Sequence, residues 1–258
     1  MHSNSFIFLL SLAADQGLID IFKVICEKTF EINPELKDGS TPLCIAVNEG
    51  HLKICQYILK DEEDKNPIIK KDDGSTLLHI VAKIGHFNIF RYVVNQVTNK
   101  NPVRLTGSTP FHIAAHHGHL NICQIIIENI VDKNPARSTD LFTPLHFAAQ
   151  GGHLNICKLI TKYIKNRRPL SNTGRTPLHN AALNGHIDVC KFLIEMMPTN
   201  KNPRDNDGWT PLHFAAQNGY FQLCKIIAEN VTEKNPATNA GTTPKQLMDK
   251  ATEKLFQP

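Results

Sequence analysis

The chain has 258 residues, enough for two average domains or for one array of small units. With 41% hydrophobic and 20% charged residues it can bury a core, which excludes a disordered or fibrous chain. The formal charge of +4 is weak for the many phosphate contacts of a nucleic-acid binder, and no run approaches the roughly 18 apolar residues of a membrane span, so the chain reads as soluble.

In chain order the first element is Phe6–Ala14, a mostly apolar stretch. A signal-peptide core has similar composition, but Met1–Ser5 carries no Lys or Arg and the stretch fits the register of a first helix. A tetrapeptide close to Thr-Pro-Leu-His then starts at Thr41, Thr76, Thr109, Thr143, Thr176 and Thr210, with spacings of 35, 33, 34, 33 and 34. A degenerate copy begins at Thr243, and Phe8-Leu9-Leu10-Ser11 takes the motif's place 33 residues before Thr41. Asn-Pro recurs at Asn33, Asn66, Asn101, Asn134, Asn202 and Asn235, and the 8 to 10 residues between that Asn and the next Thr absorb most of the length variation. Periods of this size predict a solenoid.

One unit is readable residue by residue. Thr143 is an N-cap, and Pro144 fits the first helical position because its missing N–H loses nothing there. Leu145, Ala148 and Ala149 form the apolar stripe of a short helix, and Gly152 suits a left-handed helix end. Leu154, Cys157 and Ile160 recur at helical spacing along a second helix. Neither helix buries its stripe alone, so each unit needs its neighbour. Asn206-Asp207-Gly208 is a turn closing the projection between units.

These residues resemble the ankyrin repeat, whose pattern is matched closely at Gly107–His119 and Gly208–Gly219, with the resemblance running from about Phe6 to Phe256. It implies an all-α, curved and elongated solenoid of stacked helix-turn-helix units, six fuller repeats with a partial capping repeat at each end. As a single domain over 1–258, the approximate repeats are 6–32, 33–65, 66–100, 101–133, 134–165, 166–201, 202–234 and 235–258. Departures from the pattern are Leu141 for the turn glycine, Leu77 for the proline, Cys44 for the His, and Asn166-Arg167-Arg168-Pro169 at an Asn-Pro position.

Seven cysteines and 13 histidines raise metal and thiol chemistry. His79, His112, His146, His179 and His213 occupy the motif position, where the resemblance implies that the imidazole holds turn and backbone. His51, His86, His119, His153 and His186 follow the glycine between helices, and four of them precede a Cys by four residues. Zinc needs further ligands at one point, whereas these pairs lie a repeat apart, and Cys224 continues the column without a His. Packing cysteines in a reducing compartment, with no metal, no cofactor and no disulfide framework, are the reading.

No phosphate-cradling loop, nucleophile motif or unexplained acid pair stands outside the repeats, so the chain reads as not an enzyme. Recognition then falls to positions that differ between copies. The residue before the motif Thr runs Ser40, Ser75, Ser108, Phe142, Arg175, Trp209 and Thr242. Phe142, Arg175 and Trp209 are candidate anchors on the concave and turn surface. Gln150, Gln217, His116 and His117, just after the Ala pairs, are candidate polar neighbours, whereas Phe147 and Phe214 sit at a core position and are set aside. A competing reading packs Phe142 and Trp209 on neighbouring turns with Arg175 stacked between them. The basic cluster Lys162, Lys165, Arg167 and Arg168 and the acidic run Asp61–Asp64 read as solvated turns.

The resulting expectation is a non-catalytic scaffold or adaptor that binds a protein partner in the cytoplasm, with the nucleus also open and secretion disfavoured. No small-molecule substrate, nucleic acid or membrane insertion is expected. The alternative is a regulatory or tethering module of a larger assembly, a channel or an enzyme complex, that associates through its apolar N-terminal cap.

Overall fold

A computed structural model describes residues 2–29, 31–36, 39–60, 62–70, 72–197 and 201–248. Asp61 of the acidic run and residues 249–258 of the last predicted repeat lie outside the described residues. The chain gathers into two compact units, Met1–Leu105 and Thr106–Pro258.

The first unit holds three helix pairs: α1 (His2–Asp15) with α2 (Ile19–Thr29), α3 (Pro42–Glu49) with α4 (Leu52–Leu59), and α5 (Leu77–Ile84) with α6 (Phe87–Val94). A short antiparallel hairpin of β1 (Ile68–Lys70) and β2 (Ser75–Thr76), with Ile68 opposite Thr76, precedes α5. The second unit holds four pairs: α7 (Pro110–His117) with α8 (Leu120–Asn129), α9 (Pro144–Gln150) with α10 (Leu154–Tyr163), α11 (Pro177–Leu183) with α12 (Ile187–Glu195), and α13 (Pro211–Gln217) with α14 (Phe221–Glu229). Residues 244–248 are helical again. In this unit α7, α9, α11 and α13 pack side by side as one layer, and α8, α10, α12 and α14 follow as the second. The Ala pairs 114/115, 148/149, 181/182 and 215/216 are fully buried, and their small size brings the first-layer helices together.

Each first helix from α5 onward starts on a capping box with His in the place of the usual Glu. The Nδ1 of His112 accepts the backbone N–H of Thr109 at 3.2 Å, and His146, His179 and His213 do the same for Thr143, Thr176 and Thr210. Because Nδ1 accepts, the proton sits on Nε2, which is free to donate elsewhere. In α3, Cys44 replaces the His, and the Thr41 hydroxyl caps the helix without an imidazole, accepting from the Cys44 N–H at 3.3 Å.

The Lys-Asn-Pro connector ties two helices at once. Lys133 Nζ donates to the carbonyls of Ile127 (2.6 Å) and Ile130 at the end of α8, where C-terminal carbonyls lack partners. Asn134 Oδ1 accepts from the Leu145 N–H at 3.0 Å, at the start of α9. Asn33, Asn66, Asn202 and Asn235 cap Leu43, Leu78, Leu212 and Lys245 in the same way. Arg168 occupies this place before α11 and brings no amide oxygen.

The histidines after the inter-helix glycines bind backwards. His186 Nε2 donates to the Gln150 carbonyl at 2.8 Å, and its ring fills the space that a Cβ on Gly152 would need, 2.5 Å from Nδ1. Gly152 is thus required twice, for its φ of +74° and for the ring packed on it.

At the N-terminal end α1 and α2 form a helix pair, and α1 begins six residues before Phe8, which stands where later helices carry their N-cap Thr. A residue preceding proline avoids the α region, so Thr-Pro sets a sharp helix start; Phe8-Leu9 imposes none and the helix runs on backwards.

Candidate partner-binding face

The candidate anchors immediately precede the N-cap Thr of α9, α11 and α13, and their backbones are clamped. Their carbonyls accept from the Nε2–H of the preceding repeat's buried histidine: His112 to Phe142 at 3.1 Å, His146 to Arg175 at 3.1 Å, His179 to Trp209 at 3.2 Å. Their N–H groups donate to Asp140 Oδ1 (3.0 Å), Ser171 Oγ (3.1 Å) and Asp205 Oδ1 (2.8 Å) respectively. Burial pushes the His112 and His146 imidazoles down to about 4 and His179 to about 3, so all three are neutral donors at neutral pH. Burial alone would raise the Asp140 carboxyl, but hydrogen bonds from Arg137 and from the Phe142 N–H outweigh it and hold the group below its ordinary value.

The side chains form two clusters. In the first, Phe142 stacks on His146 with centroids 5.0 Å apart and meets Phe147 edge-on at 5.8 Å. The Arg137 guanidinium, paired with Asp140, lies 5.0 Å over the Phe147 ring. His116 meets the same ring at 5.7 Å, and His117 meets His116 at 5.1 Å. A continuous row of rings therefore runs from the turn residue Phe142 to the end of α7. Burial, and His153 beside it, hold the His116 imidazole below its ordinary pKa.

In the second cluster, Trp209 packs on Phe214 at 5.1 Å and on His213 at 5.6 Å. Arg175 covers the Phe214 ring at 4.6 Å, with its Nε 3.5 Å from Asp205 Oδ2. Phe142, Arg175, Trp209, Gln150 and His116 are half-buried, while Gln217 and His117 are exposed at the ends of α13 and α7.

Two sequence expectations change here. Arg175 does not bridge Phe142 and Trp209, because its buried counter-charge, Asp205, belongs to Trp209's own turn and draws it forward onto Phe214. Phe147 and Phe214, set aside as core, are the floors of the two clusters; Phe214 is buried but Phe147 is only half-buried. A signal was available, since Phe follows the motif His in both repeats with an aromatic before the Thr, whereas Arg175's own repeat has Asn180 there. Arg137 was not singled out at all.

The cysteine column 55, 123, 157, 190 and 224 is buried, and burial raises every one of these thiols, Cys55 and Cys157 to about 12 and Cys224 to about 11. Thiols held protonated are poor nucleophiles and poor metal ligands. Among the described residues no group of three or more His, Cys, Asp or Glu could hold a metal ion, and no helix is long and apolar enough to cross a membrane.

The family model described as ankyrin repeats (three copies) matches residues 6–69, 66–137, 94–168 and 145–240. The chain belongs to the ankyrin-repeat family. Its fold is the all-α ankyrin-repeat solenoid that the repeats imply, and the family generally mediates protein–protein interaction. Among curated proteins no match is found.

Proposed function

We propose that this ankyrin-repeat chain is a non-catalytic scaffold or adaptor that binds a protein partner through the first-layer and turn side of its second unit. Phe142 and Trp209 are the anchors, with Arg175 between repeats and His116, His117, Gln150 and Gln217 as polar neighbours. The observation that carries this reading is the pair of half-buried aromatic–guanidinium clusters on clamped backbone. Such side chains are already ordered, so a partner meets them at little entropic cost. Aromatic and Arg side chains are also the types that dominate interface energies.

Leu141 supports the same reading. It holds φ +61° where the sibling turns have glycine, and its side chain is 45% exposed beside Phe142. A left-handed non-glycine residue costs roughly 1–2 kcal/mol, and strain of that kind gathers at functional sites. The free, buried thiols fit a reducing, cytoplasmic setting.

The test is a paired pull-down from lysate with wild type and a Phe142→Ser, Trp209→Ser variant of matched thermal melt. A protein retained only by wild type supports the reading. Equal recovery of every retained protein contradicts it.

A further inference from the structure

The outer side of α1 and α2 is an exposed apolar face. Phe8 is 65% exposed, Ile21 and Val24 are each 52% exposed, and Leu9, Leu12 and Leu18 are exposed beside them. In later repeats the column of Ile21 is occupied by Ile54 and Ile89, which are 0% and 1% exposed because a preceding helix pair covers them. The stacking column is kept in the first pair, and solvent faces it.

The same face lacks what an ankyrin repeat uses to bond to the repeat before it. Leu18 stands where His51 and His86 donate Nε2 to the Asp15 and Asn48 carbonyls. An occupant with free helix-end carbonyls would find no imidazole at Leu18 to donate to them, which argues against another ankyrin repeat. The apolar side chains of this face fit best against their own kind. The charges on α2 agree: exposed Asp20 and Lys28 lie four residues either side of Val24. Two α2 helices crossing antiparallel at Val24 set Asp20 of each against Lys28 of the other. Lys23, which is nearer the centre, leans away over the Tyr57 ring at 5.8 Å.

We infer that the α1–α2 face is a homodimer interface, a second copy of this chain packing on it about a twofold axis through Val24. It is separate from the proposed partner-binding face, which lies wholly in the second unit. Isologous contacts of this kind are the commonest closed assembly.

The test is sedimentation velocity of the full chain over a concentration series. Wild type is expected to pass from monomer to dimer. Ile21→Glu, at an exposed site and with an unchanged melt, is expected to weaken the dimer by about tenfold or more, as loss of one buried Ile implies. Asp20→Lys and Lys28→Asp are each expected to weaken it several-fold, and together to restore it. Leu105→Ser, which polarises an exposed Leu elsewhere, is expected to change nothing. A monomer at every soluble concentration overturns the inference. So does a dimer indifferent to Ile21→Glu, one equally sensitive to Leu105→Ser, or a charge exchange that fails to restore association.

Discussion

The Arg175 guanidinium lies 4.6 Å over the ring of Phe214, a residue of the following repeat, with its Nε 3.5 Å from the buried Asp205 carboxylate. A side chain proposed to meet a partner thus also fastens two repeats together. Stacking of this type is worth roughly 0.5–2 kcal/mol. Arg175→Ala is expected to lower unfolding free energy in urea by about 1 kcal/mol. Arg175→Lys is expected to recover only part of it, because an ammonium lacks the flat face that covers the ring. Equal stability of all three proteins would show that the stack does not hold the repeats.

Acid acts on the capping histidines. In the unfolded chain an imidazole takes up its proton near pH 6.5, but His112 and His146 resist until about 4 and His179 until about 3. Between those values the unfolded chain binds more protons, so stability is full above pH 6.5 and drains away as pH falls toward 4. Each unit of difference is worth about 1.4 kcal/mol, which makes on the order of 3 kcal/mol per imidazole. Melting temperature is expected to fall steeply from pH 6.5 to 4. A flat profile across that window would contradict neutral, doubly bonded histidines.

The repeat period, the Thr-Pro helix starts and the left-handed glycines were legible because each is a local rule of backbone geometry. The connector was visible only as a recurring Asn-Pro. Its bonds reach six residues back, from Lys133 to Ile127, and eleven ahead, from Asn134 to Leu145, beyond any local rule. Phe147 is set aside as core in the sequence for a related reason. Its column is core in pattern, but its partial exposure depends on Phe142, Arg137 and His116 arriving from three different segments. Leu18 is informative only beside the bonds of the histidines it replaces.

Leu141→Gly tests whether strain is kept for binding. Relief of the φ of +61° is expected to stabilise the protein by about 1 kcal/mol, since the exposed side chain loses little packing. The same change is expected to weaken partner capture, the usual exchange between stability and activity. A variant less stable than wild type would mean that the Leu141 side chain packs more tightly than its exposure suggests.

Arg168→Asn restores the missing cap. Asn33, Asn202 and Asn235 each bond the backbone N–H ten residues ahead, and Leu178 stands ten residues after Arg168. The expected gain is about 1 kcal/mol in chemical denaturation. An unchanged midpoint would indicate that the Arg167-Arg168-Pro169 turn holds the amide out of reach.

The most direct measurement of the binding face is site-specific photo-crosslinking in lysate. A photoreactive side chain replaces His117 or Gln217, whose exposure spares the fold, or exposed Lys191 on the second-layer helix α12 as control. If the face binds as proposed, one and the same protein is captured from positions 117 and 217 and not from 191. Capture from 191 alone, or the same products from all three positions, would contradict the assignment of this face.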